Sequence, residues 1–222
     1  DQIKNFSKIE IAGPGFLNIK LSKSALIKNI NSILRDNEFY GSSKTNETFN
    51  IEFVSANPTG PMHVGHCRGA IYGDVLANLL TFNGNKVTKE YYINDYGRQI
   101  KNFVESVFFR IKEIKFKKPF PNNDNLYPGL YIKDIAIKIL NDDNLDLKDY
   151  DRNFEYLKKK SLEASMELIK KDLKLLGIKH DNFFSETEIV DKNLVNKAIE
   201  VLKKKKYVEK GFLQPPKGEK DN

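Results

Sequence analysis

The chain has 222 residues, 40% of them hydrophobic and 30% charged, which excludes a disordered polymer and leaves room for one large domain or two small ones. Its formal net charge is +7; this suits a polyanionic partner, although a chain so rich in Lys, Asn and Ile carries such a bias without one. A single cysteine excludes an internal disulfide and fits a reducing cytoplasm, while no run of about 18 apolar residues predicts a membrane span and no signal peptide is visible.

Residues 1–45 read as two strands and a helix. Ile9 and Ile11 precede a Gly13-Pro14-Gly15 turn, and Phe16, Leu17, Ile19 and Leu21 follow it. Leu26, Ile30 and Ile33 then mark a helix face, with Ser22 or Ser24 as the cap. The polar stretch Gly41 to Glu47 reads as a linker. Ile51-Glu52-Phe53-Val54 is short, apolar and β-branched at both ends, as a buried strand is. A loop rich in Pro and Gly follows, then Ile71, Val75, Leu79 and Phe82 at helical spacing, stopped by Asn83-Gly84.

Val87 to Ile93 predicts a second strand. Ile100, Phe103, Val104, Val107, Phe108 and Ile111 predict an amphipathic helix. Pro119 to Gly129 is a loop, and Ile132, Ile135, Ala136 and Ile139 make a further helix. Leu162, Met166, Ile169, Leu173 and Leu176 make a longer one ended by Gly177; the run is too short for a coiled coil and reads as core-facing. Lys158 to Lys160 read as a solvated face, and Lys203 to Lys206 as cations at a helix C-terminus.

The chemistry concentrates between the first buried strand and its helix. His63 and His66 sit three residues apart where a strand's C-terminal end hands over to a helix N-terminus, the crevice in which open α/β sheets bind nucleotides. The helix end offers free N–H groups and a partial positive charge, both suited to phosphate. Two imidazoles on one face can donate hydrogen bonds to charge building on an attacked phosphate. Gly65 between them lets a flat ring or a phosphate approach the backbone. An HxxH pair by itself is more often surface decoration. Zinc is the other reading, since Cys67 adjoins His66, but with one Cys and three His in the chain the usual four ligands are not at hand, and no metal site is expected.

The string Ser55 to Leu80, SANPTGPMHVGHCRGAIYGDVLANLL, with HVGH at 63–66, resembles the HIGH signature region of arginyl-tRNA synthetases, which are class I aminoacyl-tRNA synthetases. So do Tyr91 to Ile100 (YYINDYGRQI), Ala12 to Asn18 (AGPGFLN) and Leu176 to Glu186 (LGIKHDNFFSE), in the expected order. The resemblance implies an α/β fold: the first half of a Rossmann-like class I synthetase catalytic domain with a mostly helical insertion, preceded by the end of a small α+β domain. The implied boundaries are 1–45 for the end of the N-terminal additional, tRNA-contacting domain and 46–100 for the first Rossmann half. An insertion over 101–158, a return to the catalytic domain over 159–190 and the start of a second insertion over 191–222 follow. The first residue is Asp, so the chain is read as part of a longer enzyme, inactive by itself.

The resemblance also implies the reaction and its residues. L-arginine attacks the α-phosphate of ATP, which enters with Mg²⁺, and the arginyl group passes to the 2′-OH of the terminal adenosine of tRNA(Arg). His63 and His66 would be catalytic, and with Gly65 would bind ATP. Glu52, Ser55 and Asn57 would bind arginine. A carboxylate is the natural partner of a guanidinium, although Glu52 taken without the resemblance reads as a solvated edge carboxylate. Asn94, Asp95 and Gln99 are pocket candidates beside the plain reading of Asn-Asp-x-Gly as turn chemistry. One position departs from part of the family: Gly60 stands where some members carry Lys, and members with Gly would be expected to use a later lysine-rich loop on the triphosphate. The full-length enzyme is expected to be a cytoplasmic monomer. The competing readings are a non-catalytic synthetase-like RNA-binding paralogue and another nucleotidyltransferase with the HIGH signature.

Overall fold

The computed structural model describes residues 2–142 and 149–211. The lysine- and proline-rich tail, residues 212–222, and residues 143–148 of the expected insertion lie outside the described residues. The chain divides into two compact units, residues 1–49 with 78–87, and residues 50–77 with 88–222.

The first unit begins with an antiparallel hairpin, β1 (Phe6–Ala12) and β2 (Phe16–Leu21), in which Ile9 lies opposite Ile19 and Ile11 opposite Leu17. Helix α1 (Lys23–Asp36) starts at Ser22, whose hydroxyl accepts the Ala25 N–H at 3.2 Å, which settles the choice between Ser22 and Ser24. Of α1 only Ala25 is buried; Leu26, Ile30 and Ile33, which mark the expected helix face, are about half exposed among the described residues. Asn85 ties this unit's remaining segment together. Its amide oxygen accepts from the Thr45 hydroxyl at 2.6 Å and the Glu47 N–H at 3.0 Å, and its amide nitrogen donates to Leu80 O at 3.0 Å. Gly84 has φ +86°, and a Cβ there would fall 2.8 Å from Ser43 O, so the stop signal after the helix is also a point of close approach.

Strand β3 (Thr48–Glu52) begins the nucleotide-type fold, and helix α2 (Val64–Phe82) follows a loop. Then come β4 (Lys86–Ile93), α3 (Arg98–Phe116), α4 (Leu130–Asp142), α5 (Tyr150–Leu175), β5 (Asn182–Ser185), α6 (Glu186–Asp191) and α7 (Leu194–Lys204). The sheet order is β3-β4-β5, with β4 and β5 parallel. β3 runs the same way, since the Lys86 N–H bonds to Glu47 O and the Phe53 N–H to Glu90 O, both strands advancing together. The C-terminal ends of all three strands therefore point to one edge.

One correction and one further finding concern the elements around that edge. The first buried strand ends at Glu52 rather than at Val54, which takes φ +69° and leaves the ladder. The large apolar residues of α2 are not its buried face: Ile71, Val75, Leu79 and Phe82 are 40–55% exposed, whereas Ala70, Gly73 and Ala77 are buried. Small residues at spacings of three and four let α2 approach the strand end closely. A Cβ on Gly73 would fall 2.3 Å from the Phe53 ring.

Two apolar clusters hold the second unit. One joins α3, α4 and α5 through Phe103, Val104, Ile111, Ile132, Ile139 and Leu157; the other gathers Phe53, Tyr91, Met166, Ile169 and Leu173 beneath the sheet. Helix α5 is continuous from Tyr150 to Leu175 and serves both, its first half in the helical cluster and its second half against the strands. It ends where foreseen, at Gly177 with φ +74°, but Leu176 is its C-cap and is 38% exposed rather than core-facing.

Gly73→Ala is expected to lower stability by about 1–3 kcal/mol, the usual cost of forcing a group into a filled space. Urea denaturation measures it, and a variant as stable as the parent would show that α2 can retreat from Phe53.

Candidate active site

Between β3 and α2 the chain makes a loop, residues 53–63, that carries most of the predicted site. It opens with two consecutive non-glycine residues in the left-handed region, Val54 at φ +69° and Ser55 at φ +42°. For a β-branched residue this is a strained conformation, costing on the order of 1–3 kcal/mol and persisting only where neighbours enforce it. The neighbours are visible. The Ser55 hydroxyl oxygen accepts the Tyr92 N–H at 3.0 Å, so its own proton is directed elsewhere and goes to Glu52 Oε1. The Tyr91 hydroxyl donates to Ala56 O at 2.8 Å; the Tyr91 side chain is fully buried, and burial pushes its phenol far above the ordinary range.

Asn57, Asn94 and Gln99 form one chain of amides. Asn94 Nδ2 donates to Asn57 Oδ1 at 3.2 Å, and Asn57 Nδ2 donates to Gln99 Oε1 at 2.8 Å. One amide proton and one oxygen lone pair of Asn57 stay open to an exposed crevice. Asp95 faces the other way. Its carboxylate accepts from the Ser185 hydroxyl at 2.6 Å and the Thr187 N–H at 2.8 Å, joining the end of β4 to the start of α6. The structure thus groups Glu52 with Ser55, and Asn57 with Asn94 and Gln99, and gives Asp95 a bracing position. Beside it a cavity of about 510 Å³ is lined by Asp95, Arg98, Lys101, Phe154 and Lys158 among others.

The histidines form a reciprocal cap on α2. His63 Nδ1 accepts the N–H groups of Gly65 at 3.1 Å and His66 at 3.4 Å, and His66 Nδ1 accepts the His63 N–H at 3.3 Å. This is capping-box logic with imidazoles in place of hydroxyl and carboxylate. The rings stack with centroids 3.6 Å apart and planes 17° apart. With both Nδ1 atoms accepting, each neutral ring carries its proton on Nε2. Burial, then the neighbouring His63, lowers the His66 pKa below its ordinary value. Both effects keep it neutral and keep its Nδ1 available. Gly65 has a reason nearer than a ligand: a Cβ there would lie 3.0 Å from His63 Cε1, so its bareness leaves room for the imidazole.

Three gripping residues were not foreseen. Tyr91 is one, and alternation along β4 was the signal that placed it inward. Asp172 of α5 is another: its Oδ2 accepts the Met62 N–H at 3.2 Å across 110 residues of sequence, with no local signal to announce it. The third is Tyr131 of α4, whose ring faces Gly60. A Cβ at position 60 would lie 3.0 Å from Tyr131 Cζ and Oη, so a lysine there would require the tyrosine to move. Among the described residues no three His, Cys, Asp or Glu side chains are grouped as metal ligands. His180 is buried among Phe53, Tyr91 and Phe183.

A strained loop between a parallel strand and a capped helix, with donors gathered at the sheet's C-terminal edge, places the chain among the α/β folds with an open parallel sheet. The profile of the family described as tRNA synthetases class I (R), catalytic domain, matches residues 29–211, and the chain belongs to that family. It is 49% identical to an arginine–tRNA ligase of Pelagibacter ubique and 47% identical to one of Ehrlichia ruminantium, the alignments covering 98% and 97% of this chain. It spans 38% of the length of each of those relatives. A solved structure from Campylobacter jejuni, described as that of an arginyl-tRNA synthetase, superposes with a TM-score of 0.72 at 35% identity, covering 83% of this chain and 40% of the other. The α/β class I fold expected from the sequence is thereby established.

The depressed histidines give stability a pH dependence of definite sign. Burial also lowers the His180 pKa. Unfolded histidines take up protons near pH 6.5, while folded His66 and His180 resist until lower pH. Their contribution is complete above about pH 6.5 and is lost as pH falls toward the depressed folded values. Urea midpoints should fall over that window, and the His66→Gln, His180→Gln double variant should flatten the fall; an equally steep profile would contradict the assignment.

Proposed function

We propose that this chain is part of the catalytic region of an arginine–tRNA ligase, with His63 and His66 acting on ATP and Glu52, Ser55 and Asn57 on L-arginine. The observation that carries the reading is the reciprocal imidazole cap, which leaves two Nε2–H donors at a helix N-terminus. A bound triphosphate would meet donors held in place before it arrives, the arrangement that lowers the barrier for a charged transition state.

In the first step an arginine carboxylate oxygen attacks the α-phosphorus of ATP and pyrophosphate leaves, giving arginyl-adenylate. In the second the 2′-OH of the terminal adenosine of tRNA(Arg) attacks the arginyl carbonyl, loses its proton, and AMP leaves. His63 and His66 donate to the phosphate oxygens as charge redistributes. Glu52, fixed through one oxygen by Ser55, offers the other to the substrate guanidinium; Asn57 offers its open N–H and lone pair, with Asn94 and Gln99 behind it and Asp95 bracing the pocket wall. Gly65 gives His63 its room and leaves the helix end bare for the nucleotide. Mg²⁺ arrives on the triphosphate: among the described residues no cluster would cage it, and Mg²⁺ is ordinarily held by substrate phosphates. No helix among the described residues is long and apolar enough to cross a membrane; the reading places the full-length enzyme in the cytoplasm, as a monomer.

ATP–pyrophosphate exchange by the full-length protein, across the standard amino acids and with tRNA present, tests the reading. Exchange with arginine alone is expected, and exchange with another amino acid would overturn the roles of Glu52 and Asn57. His66→Ala should slow exchange by about 10²-fold or more, as loss of a preorganised donor does; an unchanged rate would leave His66 a helix cap only. Glu52→Gln should raise the KM for arginine more than that for ATP, because it removes one charge of the pair.

A further inference from the structure

The loop from Phe53 to His63 is gripped at both ends by side chains from outside it, and the two grips lie on different halves. Tyr91 donates to Ala56 O, between Ser55 and Asn57. Asp172 accepts from Met62 N, the residue before His63. We propose that Tyr91 and Asp172 are positioning residues with separate charges: Tyr91 sets the arginine half of the loop and Asp172 sets the ATP half. The inference rests on the assignment of those halves made above and goes beyond it, since that assignment gives neither residue a substrate contact.

Each half is a short lever on a firm anchor. Ala56 is buried, and its carbonyl is turned inward because Val54 and Ser55 take left-handed conformations. Without the Tyr91 hydroxyl that carbonyl is a buried acceptor with no partner, which favours release of the kink. Release would swing Ser55 off Glu52 and Asn57 off Gln99, the groups assigned to the amino acid. Met62 is held twice, by Asp172 at its N–H and by the apolar cluster around its side chain. The next residue donates its N–H to His66 Nδ1 and presents its own Nδ1 to Gly65. A shift of Met62 therefore reaches both imidazoles and leaves Glu52 and Asn57 to their own anchors. Small displacements of this kind cost rate or affinity out of proportion to the stability they cost.

The prediction is a crossover, which general loosening of the fold does not produce. In the full-length enzyme Tyr91→Phe keeps the ring against His180 and Phe183 and loses only the hydroxyl. It should raise the KM for arginine by about tenfold or more while the KM for ATP stays within about twofold. Asp172→Ala should do the reverse, and Asp172→Asn, whose amide oxygen still accepts from Met62, should restore the ATP KM. Asp172→Leu replaces Asp172→Ala if the latter does not fold; matched thermal midpoints certify every variant compared. Equal effects on both KM values, or none in either variant, would overturn the proposal. If the unaltered enzyme exchanges with a different amino acid, the arginine reading falls by that result, and the crossover is judged with the amino acid used: present, the split of the loop stands; absent, it falls too.

Discussion

The site depends on a reciprocal bond between two imidazoles and one helix end. A helix leaves its first N–H groups without partners, and sequences commonly meet that need with Ser, Thr, Asp or Asn. Here His63 and His66 meet it with Nδ1. The choice settles the tautomer of both rings and aims Nε2–H away from the helix. It also favours glycine at 65, since a Cβ there would press on the His63 ring. Capping takes one nitrogen of each ring, and under the proposed function substrate binding takes the other.

The cap works only if the chain entering it arrives in one place, and the surrounding elements provide for that. Strand β4 grips the loop through Tyr91 and Tyr92, the first turn of α3 through Gln99, α4 through Tyr131 against Gly60, and α5 through Asp172. The strain at Val54 and Ser55 is held by these contacts rather than by local preference. Helix α5 links the loop to both apolar clusters, so the helical layer that looks like an appendage in the sequence is mechanically part of the site.

Much of this was legible in advance, because it is local. Strand–loop–helix order, the histidine spacing, the helix stop at Gly177 and the family resemblance all live within short stretches of chain. The amide chain was reachable only as one residue assigned to arginine, Asn57, and two pocket candidates, Asn94 and Gln99, since their mutual bonds need the sheet. Other features were hidden for physical reasons. The periodicity of Ile71, Val75, Leu79 and Phe82 announced a helix but not its buried face, which is built from Ala and Gly, whose smallness brings the helix close. Val54 looked like a strand residue because β-branching favours strands, and only tertiary contacts impose its left-handed turn. Asp172 lies 110 residues from its partner, a contact no local pattern encodes. Gly60 read as a departure from part of a family, and the structure supplies its local reason in Tyr131.

The most direct test of this account is the protonation state of the two rings, read from the side-chain ¹⁵N shifts of His63 and His66 in the full-length protein at pH 7.5 without substrates. The account predicts that both rings carry their proton on Nε2, with Nδ1 unprotonated and accepting from the helix end. A proton on Nδ1 of either ring, or a doubly protonated ring at that pH, would contradict it.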